Sequence, residues 1–154
     1  MIKIQIEGIE EINKAFTELG KCPKKYISPA VKTGMGIVKK EAKRRAPIET
    51  GELRKGIILV GEKTKTPGKK IYRVVFDRNK NHIFQKFNAA GEQTGYYPAS
   101  QEYGWTTASG KRVEPKTMRF IRGSMEDKWL QVQNAIIGKL RKKMRDALAK
   151  GRLK

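Results

Sequence analysis

At 154 residues the chain is long enough to bury one core and too short for two. Lys and Arg total 35 against 15 Asp and Glu, a net charge of +20, so a polyanion is the first partner to consider: nucleic acid, anionic lipid or an acidic protein face. One cysteine, Cys22, excludes an internal disulfide, and with a single histidine, His82, it falls short of a conventional zinc site.

Met1 to Ile6 alternates apolar and polar residues, which predicts a short half-buried strand. This N-terminus has neither a basic leader nor an apolar core, so no signal peptide is expected. Nor does any apolar run approach the ~20 residues that span a bilayer. A soluble, intracellular protein without membrane contact is the expectation.

Ile9, Ile12, Phe16 and Leu19 share one helical face, which Gly20 stops. Lys21 to Lys25 is a connector containing Pro23. Ser28-Pro29 suits the opening of a second helix, with serine as cap and proline in the first turn. Val31, Met35, Val38, Ala42 and Ala46 form its apolar stripe, and Pro47 ends it. Gly34 and Gly36 weaken a helix interior, so close approach by another backbone is expected there.

Thr50-Gly51 permits a tight turn in which Thr50 caps Glu52 or Leu53, and Leu53 plugs back into the core. Gly56 leads into a strand from Ile57 to Val60. Glu62 to Lys70 reads as a polar loop around Pro67-Gly68. Ile71 to Phe76 is the strongest strand, with Tyr72, Val74 and Phe76 on one face. Asp77 to Asn81 is a turn cluster. His82 to Phe87 and Tyr96-Tyr97 suggest a second hairpin, Tyr97 to Tyr103 a helical turn, and Thr106 to Arg112 a loop.

Thr117 to Lys150 predicts a long amphipathic helix carrying Met125, Trp129, Val132, Ile136, Leu140, Met144 and Leu148 on one stripe. Its end is basic: Lys139, Arg141, Lys142, Lys143 and Arg145, followed by Lys150, Arg152 and Lys154. Those cations exceed what a helix C-terminus needs, and they fit phosphates or an acidic neighbour. Strand, helix, helix, several strands and a long helix make an α+β single domain over 1–154. It comprises a short N-terminal strand, two helices, a small mostly antiparallel sheet packed on them and a long C-terminal helix, with a flexible basic tail at 149–154.

The carboxylates make no reactive site. Glu10-Glu11 and Glu126-Asp127 are adjacent on helices and diverge by about 100°. Asp77 and Glu102 could converge in space, as a nuclease would need, but nothing in their spacing says so. No phosphate loop, dinucleotide fingerprint or serine elbow is present. An enzyme is not expected, and no metal or cofactor is implied.

Ala46-Pro47 followed by Thr50-Gly51-Glu52-Leu53-Arg54-Lys55-Gly56-Ile57 resembles a hallmark of one family. Tyr97-Pro98-Ala99-Ser100-Gln101-Glu102-Tyr103-Gly104-Trp105-Thr106 and Met118-Arg119-Phe120-Ile121-Arg122-Gly123 are similar to two further family segments. They depart from it where Arg119 and Gly123 replace prolines. The family is that of the tail-completion or neck proteins of long-tailed bacteriophages, the "gene product ten"-like tail components.

The resemblance implies a structural virion protein in the neck or head-proximal tail end, assembled in the host cytoplasm. It would form a ring, as a homo-hexamer, that completes the tail, joins it to the head and lets DNA pass. Its partners would be itself, neck or connector proteins, and tail-tube or tail-terminator proteins. Pro47, Thr50, Gly51, Leu53, Tyr97, Glu102, Tyr103, Gly104, Trp105 and Phe120, with the loop Glu62 to Lys70, are then the expected contact residues. Lys139, Arg141, Lys142, Lys143, Arg145 and Arg152 would face DNA in the lumen or an acidic neighbour. The competing reading is a stand-alone basic nucleic-acid-binding protein.

Overall fold

The computed structural model describes residues 24–66 and 69–149. The expected strand at Met1 to Ile6, the helix carrying Ile9 to Leu19, Cys22, Pro67-Gly68 and the tail cations Lys150, Arg152 and Lys154 lie outside the described residues.

In chain order the elements are α1 (Lys24–Arg45), α2 (Glu52–Gly56), β1 (Ile57–Glu62), β2 (Ile71–Phe76), a 3-10 turn (Arg78–Lys80), α3 (Asn81–Phe84), β3 (Gln85–Phe87), β4 (Gln93–Tyr96), α4 (Tyr97–Tyr103), β5 (Trp105–Thr106), β6 (Arg112–Val113) and α5 (Phe120–Ala149). The class is α+β, as expected. The strands, however, form three two-stranded ribbons, β1-β2, β3-β4 and β5-β6, rather than one small sheet.

The described chain divides into two compact units, one of residues 24–37, 60–66, 69–73 and 129–149, the other of 38–59 and 74–128. The core of the first unit comes from two helices. Ala30, Val31 and Met35 of α1 are buried, as are Val132, Ile136, Leu140, Met144 and Ala147 of α5. Each fully buried aliphatic side chain stabilises by about 1.5–3 kcal/mol. A Cβ on Gly34 would lie 2.6 Å from Ile136 Cγ1, so glycine is what lets that side chain seat against α1. The expected close approach is therefore real at Gly34, but the visitor is a side chain. At Gly36 nothing among the described residues lies within 4 Å of such a Cβ.

Helix α1 starts at Lys24, one turn before Ser28-Pro29. Serine is not its cap, because the Ser28 hydroxyl is 2.8 Å from Tyr72 Oη, a tertiary partner invisible to local pattern. Pro29, the sixth residue of the helix, gives up the hydrogen bond to the Lys25 carbonyl and crowds that carbonyl with its ring, at a cost confined to the helix's N-terminal end.

In the second unit, Val38, Ala42 and Ala46 of α1, Leu53, Ile57, Phe84, Phe120, Ile121 and Met125 are buried. Phe76 is the hub. Its ring meets Phe84, Tyr96 and Phe120 edge-on at centroid distances of 6.2, 6.5 and 6.1 Å. Such geometry adds about 0.5–1.5 kcal/mol per pair beyond area burial. The strand expected from His82 begins only at Gln85. Asp77 accepts a hydrogen bond from the Asn79 N–H at 3.0 Å and starts a helical turn that carries Phe84 inward. There Phe84 fills the space beside Gly56, where a Cβ would meet its ring at 2.6 Å.

Candidate assembly surfaces

The corner between α1 and β1 is closed by its own residues. Gly51 has φ 77°, a left-handed value that suits glycine, and the Glu52 N–H reaches Thr50 Oγ1 at 3.4 Å. Leu53 is buried beneath the turn. Arg54 reaches back: its Nε donates to the Ala46 carbonyl at 3.2 Å and its Nη2 to the Arg44 carbonyl at 3.0 Å. These are carbonyls left open where α1 stops, so a cation there satisfies both hydrogen bonding and the helix dipole. Glu52 holds Lys55 and Lys80, and these two, Lys55 first, draw its carboxyl down to about 2.

Glu102 does a second closing job. It is 2% exposed, and its Oε2 and Oε1 accept the backbone N–H groups of Ile121 and Arg122 at 2.8 and 2.9 Å. Its carbonyl accepts the Arg119 N–H at 2.8 Å. A residue from α4 thus caps the first turn of α5, where unpaired donors and the positive dipole end favour a carboxylate. Burial pushes its carboxyl up, while the two backbone donors and the charges of Arg119 and Arg122 pull it back. Arg119 has φ 62°, which places the helix start at Phe120 and not at Thr117 as expected. Asp77 and Glu102 do not act together: each carboxylate is occupied with different backbone donors.

The expected contact residues consequently separate. Leu53, Glu102 and Phe120 are turned inward. Pro47, Gly51, Tyr97 and Gly104 are half-buried, and Thr50 is exposed. Tyr97 is engaged by Glu49 through its hydroxyl at 3.0 Å. Tyr103 and Trp105 are 50% and 39% exposed despite their size. Gly104 between them has φ 73°, and a Cβ there would lie 2.5 Å from the Val113 carbonyl oxygen. Arg112 also bonds the Tyr103 carbonyl. The chain is therefore pinned while both aromatic side chains stay outside.

Two exposed hairpins share one turn chemistry. In β3-β4, Asn88 Oδ1 accepts the N–H groups of Ala90 and Glu92. In β5-β6, Thr107 Oγ1 accepts the Lys111 N–H, and the Gly110 N–H bonds the Thr107 carbonyl. The loop expected from Thr106 to Arg112 is thus a short hairpin. The β3-β4 hairpin carries Phe87, 57% exposed, and the same unit exposes Ile48 and Ile83.

Charge is unevenly distributed. The second unit has sixteen cations and nine carboxylates, many of them paired. Glu41 bonds Arg44 and Arg45, and Arg45 continues to Asp127 at 2.6 Å. Arg44, then Arg45, hold the Glu41 carboxyl down to about 2. Glu126 bonds Arg119 and Arg122. The described part of the first unit has thirteen cations and two carboxylates, Glu62 and Asp146. Glu62 is spent on Arg73. On α5, Arg141, Lys142 and Arg145 are exposed, while Lys139 and Lys143 are half-buried. None of these five forms an ion pair among the described residues.

Sequence reasoning missed Arg54, Glu41 and the capping role of Glu102. Arg54 carried a signal, since it sits eight residues after Ala46, the residue before the helix-stopping Pro47. No helix among the described residues is long and apolar enough to cross a membrane. No curated protein and no solved structure matches the chain. The family described as "Bacteriophage HK97-gp10, putative tail-component" matches over residues 10–103, a span that holds the Thr50-Gly51-Glu52-Leu53 corner and the capping Glu102. The chain belongs to that family of bacteriophage tail components.

Proposed function

We infer that this tail component is a ring subunit of the neck or head-proximal tail end, which completes the tail, joins it to the head and leaves a passage for DNA. The observation that carries the reading is the family match over residues 10–103. The fold supports it, because both motif regions are spent on rigid corners and caps. A subunit that must dock repeatedly benefits from surfaces held by fixed backbone.

A closed ring requires heterologous contacts, one patch of each subunit meeting a different patch of the next. Tyr103 and Trp105 are the proposed anchor of one patch, supported by Tyr97 and Gly104. The edge of the corner, exposed Thr50 with half-buried Pro47 and Gly51, and the loop Glu62 to Lys70 are proposed as further contacts. Leu53, Glu102 and Phe120 serve the interface indirectly, by fixing the elements that carry it. The ring is proposed as a hexamer of single-domain subunits, assembled in the host cytoplasm and retained in the virion. Its neighbours would be connector proteins on one side and tail-tube or tail-terminator proteins on the other.

The test is electron microscopy of the purified full-length protein alone and mixed with isolated tails. Closed rings of constant copy number, or added density at the head-proximal end of tails, are expected. A protein that stays monomeric in both conditions and leaves tails unchanged contradicts the reading.

A further inference from the structure

The exposed strip of α5 has three properties that belong together. Asn134, Gly138, Arg141 and Arg145 are all exposed and recur at spacings of four, three and four residues, which places them on one helical stripe, with Lys142 beside it. From Trp129 to Arg145 the helix has no carboxylate. Among the described residues nothing lies within 4 Å of a Cβ built on Gly138, so none of them requires glycine in mid-helix at that exposed place. A mid-helix glycine that no described residue packs against, framed by cations that form no ion pair among the described residues, fits a partner whose backbone comes close and is negatively charged.

We propose that this strip of α5 is a phosphate-tracking surface for double-stranded DNA, with Gly138 as the point of closest approach and Arg141, Lys142 and Arg145 as phosphate contacts. Asn134 to Arg145 covers about 16 Å of helix axis. Duplex DNA presents one charge per roughly 1.7 Å, so several phosphates fall within that reach. DNA is favoured over an acidic protein by the make-up of the strip. A protein interface has an apolar centre with a polar rim, whereas this strip is polar or glycine at every one of its positions from Asn134 to Arg145, and its one large exposed apolar residue, Leu130, stands at its N-terminal end. Asp146 is the one carboxylate of α5 between Trp129 and Ala149, which leaves the balance of this stretch strongly positive. Its cations are assigned to phosphates, which carry no sequence information, so recognition is sequence-blind. The proposal deepens the passage of DNA in the ring reading, yet free protein suffices to test it, so its failure leaves the ring experiment untouched.

The experiment is fluorescence anisotropy of a labelled 30-base-pair duplex with the full-length protein across a salt series. Binding at 100 mM salt with a steep log–log salt slope is expected. The triple variant R141Q/K142Q/R145Q should lower that slope by about 2.7, at roughly 0.9 for each phosphate no longer neutralised. K86Q/K116Q, which removes exposed cations of the other unit, should leave the slope unchanged. G138L should weaken binding severalfold with the slope retained. Circular dichroism confirms that each variant is folded. If the triple variant is not folded, K142Q alone should lower the slope by about 0.9. Absence of binding at 50 mM salt overturns the proposal, as does a slope indifferent to the strip. Equal competition by poly-glutamate of matched charge also overturns it, because the strip would then be a docking face for an acidic protein.

Discussion

Glu102 and Ile121 are 19 positions apart, yet the Glu102 carboxylate accepts the Ile121 N–H at 2.8 Å and so fixes where the longest helix begins. Replacing Glu102 by alanine leaves the buried Ile121 N–H and the part-buried Arg122 N–H without their acceptor and removes the charge from the helix terminus. Such losses cost about 1–3 kcal/mol. Urea unfolding of E102A should show a loss of about 2 kcal/mol with an unchanged m-value. E102Q keeps one acceptor oxygen and should lose less. A stability for E102A within 0.5 kcal/mol of the parent would remove Glu102 from this role.

Acid titration should separate two kinds of carboxylate. Glu41 and Glu52 are held at about 2 by their cations, so their contribution is complete above the unfolded carboxylate range and disappears as pH falls toward 2. Glu102 is raised by burial, so its sign is opposite: the folded state gains from its protonation as pH falls through its elevated value. Thermal melts from pH 7 to 2.5 should therefore show the gap between parent and E41Q closing below pH 4. Over the same series the parent should gain on E102Q as the pH is lowered. Parallel curves for all three proteins would contradict both assignments.

Two glycines on helices should respond in opposite directions. At Gly34 an added methyl group meets Ile136 at 2.6 Å, and overpacking of this kind costs about 1–3 kcal/mol. At Gly138 an added methyl group meets nothing among the described residues, and the gain in helix propensity is worth about 1 kcal/mol. Chemical denaturation should place G34A below the parent and G138A above it. The reverse order would show that α1 and α5 do not pack as described in the first unit.

The exposed pair Tyr103 and Trp105 should matter for assembly and little for the subunit. Y103S/W105S is expected to unfold within about 1 kcal/mol of the parent, since neither side chain is part of the core. Its rings, or its retention on isolated tails, should be lost. A variant that assembles like the parent would exclude this pair from the contact.

Periodicity carried the long-range frame of the fold. The stripe from Val31 to Ala46 and the positions Val132, Ile136, Leu140 and Met144 are all buried, because helical spacing alone fixes which face meets a core. The strand from Ile71 to Phe76 and the helical turn from Tyr97 to Tyr103 also stand where the pattern puts them. What was not legible depends on partners distant in sequence. Ser28 looks like a cap until Tyr72 takes its hydroxyl. His82 to Phe84 alternates like a strand until Asp77 winds it into a turn. The same holds for the candidate surfaces. The motif residues Leu53, Glu102 and Phe120 looked equivalent to Tyr103 and Trp105, and only burial separates those that hold the subunit from those that face outward.

The central claim is that the chain is a building block of the tail at its junction with the head. Electron microscopy of particles assembled from a phage genome lacking this coding sequence tests it most directly. The account predicts DNA-filled heads and finished-length tails that fail to join, with joining restored when the parent protein is supplied. Normal, infectious particles formed without the protein would contradict it.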